Sequence, residues 1–202
     1  MRNSDIIRSY YPEYYIHNEK FPEYPASECV CIGKVRDVWG IFSNFAVAPI
    51  TINGVTFDCT ERLFQMMRLR PDATEAIQDA MAMPRNITLK RRVKSLDKRY
   101  PECFHGHWPE MMLDAMKFCL VMKYEQCEAF RAELERSKGK FIVEDETSRS
   151  HGRNADIWGT KLSGDKYVGS NILGRLLMEL RDNGTLHYHL PEWALDFTKA
   201  VK

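Results

Sequence analysis

A carboxylate, an amide and a guanidinium stand in one line in the segment TERLFQMMR, with Glu61, Gln65 and Arg68 at i, i+4 and i+7. On a helix that spacing places them along one face, while Leu63, Phe64, Met66, Met67 and Leu69 occupy nearly everything else. A narrow polar stripe on an apolar helix has two readings. It is the solvated edge of a mostly buried helix, or it is one wall of a ligand cleft, and the pattern alone leaves both open. More carboxylates follow downstream: Glu144 and Asp145 close the apolar run FIVED, and Asp156 precedes Trp158 in ADIWG. Acids at a strand end and in a loop can serve as acid, base or cation-stabilising groups, and an indole can stack a base. The plainer readings are solvated acids and a core tryptophan.

Three further patterns have weaker content. YVGSNILG sets glycine and small polar residues before a helix, which either presents backbone N–H groups to a phosphate or caps the helix in the ordinary way. Arg85, Lys90, Arg91, Arg92, Lys94, Lys98 and Arg99 form a basic cluster, read as a solvated helix face or as a phosphate contact. Cys103, His105 and His107 alternate in CFHGHW, as do His187 and His189 in HYH. Neither set has the arithmetic of a structural zinc site and no CxxC pair occurs, so no metal is expected. A phosphate-binding GxxxxGK[ST] loop, a GxSxG elbow and an HExxH helix are all missing from the sequence.

The elements that must position these residues follow from punctuation and periodicity. CVCIGKV and KGKFIVED are strand candidates, and PITINGVTF holds two apolar runs around Asn53-Gly54, a hairpin signal. Helices are predicted from Glu61, with the Thr60 hydroxyl as cap, around DATEAIQDAMA and NITLKRRVKSLD, over 109–123 and over 125–136. SNILGRLLMELR is a helix with Asn171 or Ser170 at its start and Gly184 after its end, and the stretch before it, from SRSHGRN to YVG, is expected to be loop. Residues 1–28, with prolines at 12, 22 and 25, read as an irregular arm, and the tail from His187 as a short extra element.

The chain has 202 residues, 44% of them hydrophobic, and a formal charge of +1. That is enough for one domain with a real core, and too balanced for a wholesale electrostatic grip on nucleic acid or on an acidic membrane. The six cysteines are expected as reduced thiols. With no apolar span of membrane length and a polar start, a cytoplasmic protein is expected.

Taken in order, GIFSNFAVAPITINGVTFDCTERLFQMMR, Trp108, AMKFCLVMKY, FIVED, DIWG and GSNILGRLLMELR resemble the NADAR or YbiA-like family from about Cys31 to Arg181. The resemblance implies an α+β fold, a predominantly helical single domain at 29–183 with a small early β-sheet, an arm at 1–28 and an extension at 184–202. It implies cleavage of a bond between ribose C1 and nitrogen. The substrate is a phosphoribosylamino-pyrimidine of riboflavin synthesis, or guanine carrying ADP-ribose, including guanine in nucleic acid. Neither cofactor nor metal is called for.

Such a reaction passes through a sugar cation, so it needs a carboxylate beneath C1 and an acid near the leaving nitrogen. Glu61 and Asp156 are the candidates, with Glu144 third. Matching the family's phrases brings Phe42, Ser43, Asn44, Gln65, Trp158, Gly159, Gly169 and Asn171 into the substrate site. Arg68 and Lys123 would hold phosphate, Trp108 or Trp158 would stack the base, and Asn44 and Gln65 would bond the ribose. Two departures stand out. Lys123 is followed by Tyr124 rather than Phe, and Arg68 takes the place of a family Lys. An amine could attack the sugar carbon and form an imine; Arg keeps its charge and cannot. A nucleotide-binding module without turnover is therefore the alternative.

Overall fold

The computed structural model describes residues 2–86, 88–148 and 157–201. In chain order the elements are α1 (Asn3–Tyr10), β1 (Glu23–Pro25), β2 (Cys29–Ile32), β3 (Ile50–Ile52), β4 (Val55–Phe57), α2 (Thr60–Met66), α3 (Thr74–Ala82), α4 (Leu89–Lys94), α5 (Trp108–Gln126), α6 (Glu128–Arg136), β5 (Phe141–Glu144), β6 (Lys161–Ser163), β7 (Lys166–Val168) and α7 (Ile172–Asn183). The fold is α+β. The strands form three small sheets rather than one early sheet. The contacts divide into two compact units, one of residues 1–43 and 129–186, the other of residues 44–128 and 187–202.

In the first unit, β2 runs parallel to β5 in a register that sets Cys29 against Phe141 and Ile32 against Glu144. Val30, Ile32, Ile142 and Val143 are buried, and α7 covers β5 with Leu173, Leu176, Leu177 and Leu180. That leucine face is the one its spacing predicts. α7 stops at Gly184, whose φ of 73° is the left-handed turn that glycine allows, and the Gly184 N–H bonds back to Leu180 O.

Two expectations are corrected in this unit. The arm is not irregular throughout: α1 buries Ile6 and Ile7, and β1 joins the edge of an antiparallel sheet of order β1-β7-β6. The prolines punctuate these elements instead of preventing them, and Pro25 sits on an edge strand, where its missing N–H is tolerated. Tyr14 fastens the arm to α7, its hydroxyl donating to Glu179 at 3.1 Å while Arg175 donates to its carbonyl at 3.0 Å. The stretch expected as loop contains the hairpin β6–β7, which turns on Gly164-Asp165.

In the second unit, the β3–β4 hairpin turns on Asn53 and Gly54, both at positive φ as the Asn-Gly signal requires. The 19-residue α5 and the shorter α3 and α4 pack around α2, whose seven residues are all buried. Arg62 ties α2 to the end of α3. It pairs with Asp58 at 2.7 Å and donates to Ala80 O and Met83 O, each also at 2.7 Å. The tail forms a 3-10 stretch at Glu192–Ala200 against α3, with Phe197 tilted on Phe57 at 5.9 Å. This is the short element the sequence suggests.

Candidate active site

Glu61 and Gln65 of α2 and Arg68, two residues past its end, form a hydrogen-bonded row. Gln65 Nε2 donates to Glu61 Oε1 at 3.0 Å, and Arg68 Nη1 donates to Gln65 Oε1 at 3.1 Å. Glu61 is 6% exposed and Gln65 1%, so the row is not a solvated edge. Arg62 takes the scaffolding contacts to Asp58 and to the end of α3, while Glu61 joins the row.

Backbone bonds set the surroundings of the row. The Glu61 N–H donates to Asn44 O at 2.8 Å, and Asn44 Nδ2 meets Met116 Sδ at 3.4 Å. Beyond the helix, an antiparallel bridge pairs Leu69 with Phe104, and the His105 N–H bonds Arg68 O at 2.9 Å. That bridge carries the Phe104 ring to 4.8 Å from the Arg68 guanidinium, with Trp108 at 5.5 Å. Phe64 packs edge-on against Trp108 at 5.1 Å. Burial among these rings lowers the Arg68 pKa, opposed by Asp97, Cys103 and Glu61. An arginine stays charged through such a shift.

Three buried polar atoms have no hydrogen-bond partner among the described residues: Asn44 Oδ1, Thr60 Oγ1 and Arg68 Nε. A buried unpaired acceptor or donor costs about 1–3 kcal/mol, so such atoms mark a place where a ligand or water completes the bonding. Thr60 therefore corrects its expected role. The cap position is Cys59, without a side-chain bond, and the Thr60 hydroxyl lies inside the helix.

Phe104 was missed by sequence reasoning. Its neighbours Cys103, His105 and His107 drew attention to a metal instead, yet His105 lies 4.3 Å from the Trp193 ring and His107 lies 6.3 Å from it. Burial first, then Arg70, lowers the His105 pKa. The basic cluster behaves as a helix face: α4 buries Leu89 and Val93 and leaves Arg91, Arg92 and Lys94 exposed. Arg85 is spent on Phe45 O at 2.7 Å and Arg99 on Asp79 at 2.7 Å.

Lys123 is 0% exposed on α5, and burial pushes its ammonium down to about 7 against the partial support of Cys127 and Cys59, so the structure places it in the core and not on a solvent-facing wall.

The first unit places its candidates differently. Phe42, also 0% exposed, stacks on Trp39 at 5.6 Å and meets Phe130 edge-on at 6.0 Å. It is a core residue and not a substrate contact. The Ser43 N–H closes the 3-10 turn Gly40–Phe42 on Gly40 O. Asn171, 0% exposed, donates to Ile142 O at 2.8 Å and accepts from Glu144 N at 3.1 Å, so its amide binds β5 to α7 rather than a substrate. Gly159 and Gly169 are close-approach residues. A Cβ on Gly159 would lie 2.7 Å from Glu144 O, and one on Gly169 would lie 2.5 Å from Gly159 O. Trp158 is buried, with its carbonyl accepting from Leu173 N.

The carbonyls of 157, 158 and 159 take the N–H groups of 172, 173 and 171, which uses up the start of α7. The N–H groups of 171–173 in YVGSNILG therefore serve as an ordinary helix start. Glu144 ends β5, its carbonyl accepting both the N–H and the hydroxyl of Thr160. Asp156 lies outside the described residues.

The sequence profile of the NADAR domain matches residues 33–183, most of the chain. The chain belongs to the NADAR family. N-glycosidase YbiA of Escherichia coli (strain K12) is 30% identical over 146 residues, covering 72% of this chain and 82% of that relative. The protein of the same name from Shigella boydii serotype 4 (strain Sb227) is similar to the same extent. Riboflavin biosynthesis protein PYRR, chloroplastic, of Zea mays is 27% identical over 157 residues, which is 73% of this chain but 24% of that longer protein. The NMR structure of Escherichia coli YbiA superimposes with a TM-score of 0.56 at 24% identity, over 80% of this chain and 91% of that one, and supports the fold. Every candidate above lies within the part matched to the NADAR domain, whereas α1 and the 3-10 tail lie outside it. Among the described residues no helix is long and apolar enough to cross a membrane.

Proposed function

We propose that this NADAR protein is an N-glycosidase that hydrolyses the bond between ribose C1 and a nitrogen in a phosphorylated, nucleotide-like substrate. The observation that carries the reading is the buried row Glu61–Gln65–Arg68, flanked by Phe104 and Trp108 and by the unpartnered atoms Asn44 Oδ1 and Arg68 Nε. The names of the bacterial relatives support it.

Glu61 stabilises the sugar cation, its carboxylate oriented by the Gln65 amide. Asn44 Oδ1 accepts a ribose hydroxyl, Arg68 donates through Nε to a phosphate oxygen, and Trp108 offers an aromatic surface to the base. Water adds at C1 as the C1–N bond breaks. The sugar keeps the hydroxyl and the nitrogen leaves with the proton, supplied by an acid for which Asp156 and Glu144 are the candidates. The substrate is a phosphoribosylamino-pyrimidine or ADP-ribosylated guanine.

The test is release of free base from ADP-ribosylated guanosine and from phosphoribosylamino-pyrimidines. Release by the wild type and its loss in Glu61→Gln is expected; equal rates in the two would overturn the assignment. Arg68, which cannot form an imine, favours a second reading, a binding module without turnover. Saturable nucleotide binding by a protein that releases no base from either substrate would establish that reading instead.

A further inference from the structure

The arm that precedes the NADAR match closes a cavity of about 170 Å³ in the first unit, lined by α1, by residues from Tyr15 to Phe21, and by Ile157 and Ser170. Its walls divide by chemistry. Ile7, Ile16, Phe21 and Ile157 give it apolar lining, and Arg8, Tyr15 and Ser170 are donor-bearing residues of the same lining. Ser170 is 5% exposed, and its hydroxyl makes no hydrogen bond among the described residues. The Tyr15 hydroxyl and the Arg8 guanidinium also make none. Arg2 and Asp5 line the same cavity and pair with each other at 3.1 Å; Asp5 also feels the charge of Arg8, and the three together leave the wall with a net positive charge among the described residues. Three donors without acceptors, one of them cationic and one on a nearly buried residue, describe the complement of an anion with several acceptor oxygens. The apolar and aromatic side fits the carbon face of a small ring.

We propose that this cavity binds a sugar phosphate monoester, with the phosphate on Arg8, Tyr15 and Ser170 and the sugar ring against Ile16 and Phe21. The α1 and Tyr15 parts of the pocket are additions of this chain to the NADAR domain, so the site is separate from the row on α2 and does not depend on the catalytic reading. A charge-assisted hydrogen bond contributes about 1.5–3 kcal/mol, which sets the loss expected from removing Arg8 at about ten- to a hundredfold in affinity.

The experiment is titration of the full chain with ribose 5-phosphate, followed by calorimetry and by amide chemical shifts, with ribose and inorganic phosphate as separate arms. Saturable binding of ribose 5-phosphate is expected, tighter than either part, with shifts centred on Ile16, Ile157 and Ser170. Arg8→Ala lowers affinity about ten- to a hundredfold, Ser170→Ala severalfold, and Arg8→Lys keeps part of the affinity. Arg8 is exposed and Ser170→Ala is a small change, so thermal melting of both variants should match the wild type. Glu61→Gln should bind as the wild type does. No saturable binding, or binding that Arg8→Ala leaves intact, overturns the proposal. So does binding that Arg68→Ala abolishes with shifts around α2, an outcome that leaves the catalytic reading standing.

Discussion

The row on α2 and the junction of β5 with α7 are both built from the family's phrases, yet they dispose of their polar atoms in opposite ways. At the junction, Asn171 spends its amide on Ile142 O and Glu144 N, and the carbonyls of 157–159 take the first N–H groups of α7. Along the row that begins on α2, Glu61, Gln65 and Arg68 bond one another, while Arg68 Nε and the nearby Asn44 Oδ1 and Thr60 Oγ1 keep no partner among the described residues. A saturated network holds a scaffold, and a network with unmet valences is shaped for something that arrives later. Changes at the junction should therefore cost stability, and changes along the row should cost activity.

The largest effect is expected from Glu61→Gln. The substitution keeps the shape and the bond with Gln65 but removes the charge, so base release should fall about 10²–10⁴-fold, the usual range for loss of a catalytic carboxylate. The melting temperature should stay within a few degrees. A melting loss as large as the activity loss would place Glu61 with the scaffold and break the contrast.

Next is Gly174→Ala, on the other side of the contrast. A Cβ there would stand 2.1 Å from Ile142 O and 2.5 Å from Asn171 Oδ1. Neither a backbone carbonyl nor a doubly bonded amide can move aside cheaply, so about 3 kcal/mol or more of stability should be lost. Urea unfolding measures this, and a variant as stable as the wild type would show that the junction yields.

How much of this was legible beforehand follows the same division. Spacing alone placed Glu61, Gln65 and Arg68 on one face, and Asn53-Gly54 and Gly184 gave their turns, because each depends on residues close in sequence. Phe104 and the fate of Asn171 could not be read in that way. Phe104 reaches Arg68 through a bridge to Leu69, and the bonds of Asn171 go to residues 27 and 29 positions earlier. The burial of Phe42 and Lys123 is not legible for a related reason: a motif position names a residue type and does not say whether that side chain faces a cleft or the core. In the arm, three prolines outweigh the short apolar pair Ile6-Ile7 as a local signal, and burial of that pair decides the structure.

Lys123 complicates the contrast, since it lies in the same unit as the row and carries a stability effect. Burial lowers its folded pKa to about 7, below the ordinary 10.5 of an unfolded chain. Below pH 7 both states bind the proton and the full penalty of a buried ammonium is present. Between pH 7 and the thiol range near 9 the unfolded state binds more protons, so stability should rise with pH, by at most about 1.4 kcal/mol per unit. Above that range the raised pKa of Cys59 works in the opposite direction. Lys123→Met should flatten the rise between pH 7 and 9 and stabilise the protein at neutral pH. Denaturant unfolding across that window checks it, and an unchanged slope in the variant would assign the rise to another group.

The smallest effect is expected from Arg68→Lys, which bears most directly on what the row does. Lysine retains the charge but gives up the planar fork and the guanidinium lying near Phe104 and Trp108, contacts worth about 0.5–2 kcal/mol. If Arg68 holds the substrate's phosphate, KM should rise about tenfold with kcat nearly unchanged, because the interaction is made equally in the ground and transition states. An amine at this position has a second capability, attack on the sugar carbon. A rise in kcat for Arg68→Lys, with a covalent adduct trapped by borohydride, would mean that this chain has given up a nucleophile its scaffold still accommodates. A rise in KM alone would identify Arg68 as a binding group and leave hydrolysis to Glu61 and water.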